Sequence, residues 1–254
     1  MKLIQSIQRA FEIIDCFNED NEELKLNDIS KMLNLNINTT RGIVNTLVYF
    51  SYLEHDQEKN VYKLGYIFLP KSKLLKSRND DIFINNLESF LKEIANKYNV
   101  NSRFHKISEN NIVKILSEEP DESRYFLYIR DSKELPLNAT SSGKLILKYS
   151  GEDFLQNYLN NIPEEKVSEN TITTKSKMIE ELENIDKKGY STEIDEVAIG
   201  ISSVAVPIIK SGKLVATISA TAPTKTIKEN SDDIAQEIIN FTKNIQVRIF
   251  CKII

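Results

Sequence analysis

The stretch LPLNATSSGKLILKY (135–149) sets two serines, Ser141 and Ser142, directly before Gly143-Lys144 and an apolar run. A Gly-Lys pair entering a helix suits a nucleotide-phosphate loop. That loop also needs a Gly five residues before the pair's glycine and a Ser or Thr right after the lysine. Asn138 and Leu145 stand at those positions, which argues against a nucleotide. A small, hydroxyl-rich helix start remains. Its open N–H groups and positive dipole end suit a carboxylate as well as a phosphate. The alternative is a plain N-cap by Thr140 or Ser141. In the ligand reading Lys144 points to solvent from the first turn. Further along, Ser202 and Ser203 follow Gly200, and Ser219 and Thr221 alternate on the last apolar strand, so they share a face. Hydroxyls on an inward strand face need partners: a small polar ligand, or each other and the backbone.

A second group of polar residues has helical spacing. Asn38, Arg41, Gly42 and Asn45 lie at i, i+3, i+4 and i+7, opposite the apolar stripe Thr40, Ile43, Val44 and Leu47. Apart from Arg41 the outer stripe is short-chained, so such a helix fits a major groove. Arg41 and the asparagines, with Thr39 beside them, can donate and accept at base edges, while Gly42 admits close backbone approach. Lys59 and Lys63, farther on, suit phosphates. Charge supports an anionic partner. Leu24 to Arg78 carries nine basic against four acidic residues, a surplus of five, inside a chain of net charge −4.

Enzymatic chemistry finds little material. The chain has two histidines, His55 and His105, and no HExxH, GxSxG or GxGxxG motif. No catalytic residue, metal ligand or cofactor is expected. Cys16 and Cys251 are too far apart in sequence for a metal spacing or a disulfide framework, which fits a reducing cytoplasm. No apolar run is long enough to span a bilayer, and the N-terminus is not a signal peptide.

The elements that must position these residues fall into two halves of a 254-residue chain with 41% hydrophobic residues. Residues 1–70 read as helices at about 4–17, 27–33 and 37–50, then strands at about 52–55 and 61–64. The first helix turns Ile4, Ile7, Ala10, Phe11 and Ile14 inward. Asn27 would cap the second, whose Ile29, Met32 and Leu33 face inward, and Asn34 takes the positive φ of the next turn. This is a winged helix-turn-helix pattern. Residues 71–79 read as a linker helix. Residues 80–254 read as a helix at 80–98 and strands at 102–108, 111–117 and 124–130. Helices follow at 142–149, 152–160 and 174–188, then strands at 202–209 and 213–222 joined by Lys210-Ser211-Gly212, then a helix at 228–249. Strands in meander with helices grouped around them predict an α+β domain.

These motifs together resemble the IclR family of bacterial transcriptional regulators over nearly the whole chain. The winged helix-turn-helix resemblance lies in LKLNDISKMLNLNINTTRGIVNTLVYFSYLEHDQEKNVYKLG. The effector-domain resemblance lies in LPLNATSSGKLIL, NTIT (170–173), KKGYSTEIDEVAIGISSVAVPI and VATISATAP. The resemblance implies a GAF-like C-terminal domain, a homodimer or tetramer, a double-stranded palindromic operator and a small-molecule effector. The effector pocket it implies is formed by Ser141, Ser142, Glu193, Ser203, Ser219 and Thr221. The chain departs from the family where it has Gly42 for an arginine, Ser141 and Ser142 for Gly or Ala, Ser203 for Cys and Asn138 for His. Added hydroxyls point to a hydroxylated effector such as a sugar acid. The expected function is thus a ligand-responsive repressor in the cytoplasm. The other reading is a sensor or scaffold whose N-terminal domain binds a protein partner.

Overall fold

Three helices, a hairpin and a fourth helix form the first of two units, Met1–Asp81; the second is Ile82–Ile254. The computed structural model describes residues 4–18, 21–76, 81–108, 111–123 and 135–246. The strand expected at 124–130, Cys251 and the ends of the linker and last helix lie outside these residues.

In the first unit, α1 (Gln5–Asp15), α2 (Leu26–Met32) and α3 (Ile37–Tyr49) enclose Ile13, Phe17, Ile29, Val44 and Leu47. The expected inward stripe of α1 is largely outside: Ile4, Ile7 and Phe11 are 66%, 51% and 62% exposed, and the fully buried residue is Ile13. Spacing identifies an apolar face but not what covers it. Met32 likewise points out. Helix α2 starts from Lys25 with no side-chain cap, and Asn27 lies inside it. The cause is the preceding residue. Leu24 bridges to Tyr62 with backbone bonds of 3.0 and 2.8 Å, so the chain leaves that bridge straight into the helix. Asn34 takes the positive φ expected of it, 50°. Asn36 caps α3, its Oδ1 accepting from the Asn38 amide at 2.9 Å.

Strands β1 (Leu53–Asp56) and β2 (Val61–Leu64) pair antiparallel as the wing. Asp56 Oδ1 accepts from the amides of Glu58 and Lys59 and so closes the wing turn. At the wing's exit a Cβ on Gly65 would lie 2.0 Å from the Ser51 carbonyl oxygen, so only glycine fits. Helix α4 (Phe68–Lys76) follows, with Pro70 in its first turn, where no intrahelical donor is needed.

The second unit is an antiparallel five-stranded sheet in the order β4-β3-β7-β6-β5. Its strands are β3 (Asn101–Ser108), β4 (Asn111–Glu118), β5 (Ser191–Ala198), β6 (Ile201–Lys210) and β7 (Lys213–Pro223). Alternation sorts the two faces. Val204, Val206, Ile208, Ile218 and Ala220 pack with Leu87, Leu91 and Ile94 of α5 (Asp81–Tyr98) and with Ile234 and Ile238 of α9 (Thr224–Gln246). On the other face Ala205 joins Leu145 and Leu147 of α6 (Ser141–Tyr149), Leu159 of α7 (Glu152–Asn160) and Met178, Leu182 and Ile185 of α8 (Lys175–Lys188). The β6–β7 turn has φ of 49° at Ser211 and 77° at Gly212, as a tight hairpin needs. Strand β5 was not expected. Its three acids obscure the apolar alternation, but each has a partner in the folded chain.

Candidate functional site

On the first unit, α3 presents Asn38, Thr39, Arg41, Gly42 and Asn45 to solvent, while Thr40, Val44 and Leu47 are buried. Arg41 Nη1 donates to Asn38 Oδ1 at 3.1 Å, which holds the guanidinium along the exposed stripe. Beyond the adjoining residues and the backbone of its own helix, no heavy atom comes within 4 Å of a Cβ built on Gly42, so the surface there is open. The wing carries His55 stacked on Tyr62, ring centroids 4.4 Å apart. Lys59 and Lys63 both reach one acid, Glu23, whose Oε1 lies 3.5 and 2.6 Å from their ammonium groups.

On the second unit, the start of α6 faces the sheet across a cavity of about 90 Å³. Ser141, Ser142, Glu193, Ser203, Ser219 and Thr221 all line it, brought from α6 and three strands. Register explains the meeting. Glu193 on β5 faces Ser203 on β6, which faces Thr221 on β7, and Ser219 on β7 faces Arg103 on β3. All lie on the α6 side of the sheet.

The serines are both pocket wall and structural tie. Ser203 Oγ donates to Glu193 Oε2 at 3.2 Å, and Ser141 Oγ lies 2.7 Å from Ser203 Oγ. Ser142 Oγ bonds Thr217 Oγ1 at 3.0 Å. The plain N-cap is present as well: Thr140 Oγ1 accepts from the Gly143 amide at 3.0 Å. A Cβ on Gly143 would sit 2.4 Å from the Leu137 carbonyl oxygen, so glycine lets α6 settle on the short 3-10 turn Leu137–Ala139. Asn138 in that turn is fully buried. It accepts from the Tyr158 hydroxyl at 2.6 Å and donates to the Ile172 carbonyl at 2.6 Å, tying the turn to α7 and the NTIT segment.

Glu193 is 2% exposed, and burial pushes its carboxyl up to about 7. The amides of Glu196 and Val197, which donate to its Oε1, oppose that rise, as does Ser203. Both amides belong to a bulge where the β5–β6 register shifts.

Lys144 does not reach solvent. Its side chain is fully buried, and Nζ donates to Glu196 Oε1 at 2.6 Å, the Thr192 carbonyl at 2.9 Å and Glu181 Oε1 at 3.2 Å. All three ammonium donors are used, and α6 is tied to α8 and to the β5 bulge. Burial raises the Glu196 carboxyl, with Lys144 opposing.

Arg103 and His105 complete the cavity wall from β3. The resemblance did not point to them, and sequence neighbours do not reveal them. Their approach depends on β3 pairing with β7, more than a hundred residues later. The available signal was their i, i+2 spacing on a predicted strand, which puts two basic groups on one face. Among the described residues no group of three His, Cys, Asp or Glu could hold a metal ion, and no helix is long and apolar enough to cross a membrane.

Comparison with known proteins places this geometry. Residues 6–57 match the IclR helix-turn-helix domain, and residues 78–247 match the bacterial transcriptional regulator IclR C-terminal domain. The chain is 26% identical over 247 residues to the HTH-type transcriptional regulator XynR of Escherichia coli, covering 97% of this chain and 94% of that one. It is 24% identical over 234 residues to KdgR of the same organism, covering 89% and 85%. An IclR transcriptional regulator from Alicyclobacillus acidocaldarius has the same fold, with a TM-score of 0.75 at 21% identity over 95% of this chain and 96% of that one. So does an IclR homologue from Microbacterium hydrocarbonoxydans solved with 4-hydroxybenzoate, with a TM-score of 0.67 at 19% identity over 92% and 99%. The chain belongs to the IclR family of bacterial transcriptional regulators, helix-turn-helix DNA-binding proteins and not enzymes.

Proposed function

We propose that this protein is a cytoplasmic repressor whose first unit holds an operator and whose second unit releases it on binding a small hydroxylated carboxylic acid. The observation that carries the effector reading is the cavity wall: Arg103 and His105 on one side, and hydroxyls from Ser141, Ser203, Ser219 and Thr221 around it. A guanidinium recognises a carboxylate with two parallel bonds, and hydroxyls suit a ligand's own hydroxyls. The cavity is about 90 Å³, and Ile112, Leu135, Val197 and Ile201 line it beside the polar groups, so the ligand class is read from the placed basic and hydroxyl groups and not from volume. The carboxylate of the 4-hydroxybenzoate in the Microbacterium relative is consistent with an acid.

A thermal-shift screen of hydroxy acids, sugar acids, neutral polyols and apolar aromatic acids tests this. The hydroxylated acids should stabilise the second unit, by about 2.7 kcal/mol at a hundred times the Kd. Arg103→Ala should remove that stabilisation, read as the ligand-induced shift against the variant's own ligand-free melt. Binding of apolar aromatics alone would refute the hydroxylated-acid reading.

For DNA, Asn38, Thr39, Arg41 and Asn45 read bases, and Lys59 and Lys63 meet phosphate. Arg41→Ala should weaken operator binding by roughly 1–3 kcal/mol while mixed-sequence DNA is bound almost as before. Unchanged operator affinity would count against the assignment. Steep loss of binding with salt separates this reading from a scaffold that docks a protein partner. Two first units reading a palindrome call for a homodimer or a tetramer. The exposed Ile4, Ile7 and Phe11 face of α1 gives the chain an apolar surface for such assembly.

A further inference from the structure

Glu23 pairs with both lysines of the wing. The two-bond bridge between Leu24 and Tyr62 fixes it beside β2. From there one carboxylate oxygen takes both wing lysines, Lys63 at 2.6 Å and Lys59 at 3.5 Å. The hydrogen bond from Lys63 holds the Glu23 carboxyl below its ordinary value, so it is charged at neutral pH. The wider balance runs the same way. Met1–Asp81 carries eleven basic and twelve acidic residues, net −1, so the basic surplus beyond Leu24 is cancelled within its own unit.

We propose that Glu23 is an affinity-limiting residue for DNA: an internal anion that occupies Lys59 and Lys63 and must give them up when the wing meets phosphate. The inference rests on the reading that these lysines contact the DNA backbone. Non-specific affinity is set by phosphate contacts alone. A genome offers very many wrong sites, so a regulator gains when this sequence-blind part of its affinity is held down and base readout by α3 decides occupancy. Glu23 acts on the sequence-blind part only, because the lysines it holds carry no base information.

The test needs no knowledge of the operator. The full-length chain is titrated with a mixed-sequence duplex over a salt series, as wild type, Glu23→Gln, Lys59→Ala/Lys63→Ala and the triple variant. Glu23→Gln should bind about three- to tenfold more tightly at low salt, with a log–log salt slope steeper by about one. The gain should vanish in the triple variant. Thermal melts of the four proteins confirm that each is folded. If wild type binds with a steep salt dependence and the lysine variant binds more weakly, the wing reading stands. Unchanged affinity in Glu23→Gln, or a gain that survives loss of both lysines, then overturns the role of Glu23. If removal of the lysines leaves affinity unchanged, the wing reading itself fails.

Discussion

Lys144→Ala is expected to cost the second unit about 3–5 kcal/mol in chemical denaturation at neutral pH, because it strands a buried carboxylate. The side chain is wholly enclosed, and its ammonium is the counter-charge for Glu196, itself 7% exposed. Glu196 Oε2 is already buried without a partner, so loss of the lysine would leave this group little compensation. The deficit should shrink as pH falls, since burial raises the Glu196 carboxyl and a protonated Glu196 needs no counter-charge. Replacing both groups, Lys144→Met with Glu196→Gln, should recover most of the loss, because breaking a buried pair costs far more than deleting it whole. Lys148→Ala is the control. It removes the bond to Asp186, which is 58% exposed, and should change stability by less than about 1 kcal/mol. A similar loss for both lysines, or no recovery in the double variant, would show that Lys144 matters as packing volume and not as charge.

What the sequence disclosed and what it hid follow from the range of the interactions. The outer stripe of α3 was legible because a helix face is a local property, set by spacing within two turns. The hydroxyl walls were half legible. Ser219 and Thr221 announce a shared face, but that this face meets Ser141 and Ser203 depends on sheet order. Strand β5 was hidden because Glu193, Asp195 and Glu196 look like a solvated acidic run until their partners are known. Lys144 was misread for the same reason. Its partners lie 37, 48 and 52 residues later, and nothing near it shows that a lysine in a first helical turn will be buried. Arg103 and His105 join the pocket only because β3 lies beside β7. Helix α1 shows the converse case. Its apolar stripe was plain, and the fold leaves much of it in contact with solvent.

Glu193→Gln is expected to stabilise the second unit at pH 8 and to flatten the pH dependence of effector binding. The buried carboxyl titrates near 7 in the folded chain against an ordinary value of 4.5. Between those values the folded state holds a proton that the unfolded state has released, so stability falls as pH rises through that window. Above 7 the charged group costs the fold about 3 kcal/mol, which a neutral amide avoids. The groups around it are Glu196 in the bulge, whose charge adds to the rise, and Arg103 and His105 across the cavity. The ligand consequence runs through the hydroxyl chain. A hydroxyl has one proton to give. With Glu193 ionised, Ser203 donates to Glu193, and Ser141 must then donate to Ser203. With Glu193 protonated at Oε2 the direction reverses. Glu193 donates to Ser203, Ser203 donates to Ser141, and the Ser141 proton is released toward the cavity, where a ligand carboxylate can accept it. Affinity for an acid should therefore be level below about pH 7 and fall by up to tenfold per unit above it. In Glu193→Gln the amide N–H donates to Ser203 at every pH, and the fall should disappear. Calorimetric titrations of wild type and variant at pH 6 and pH 8 decide the matter. Equal affinities of the wild type at both values would remove Glu193 from any part in holding the effector.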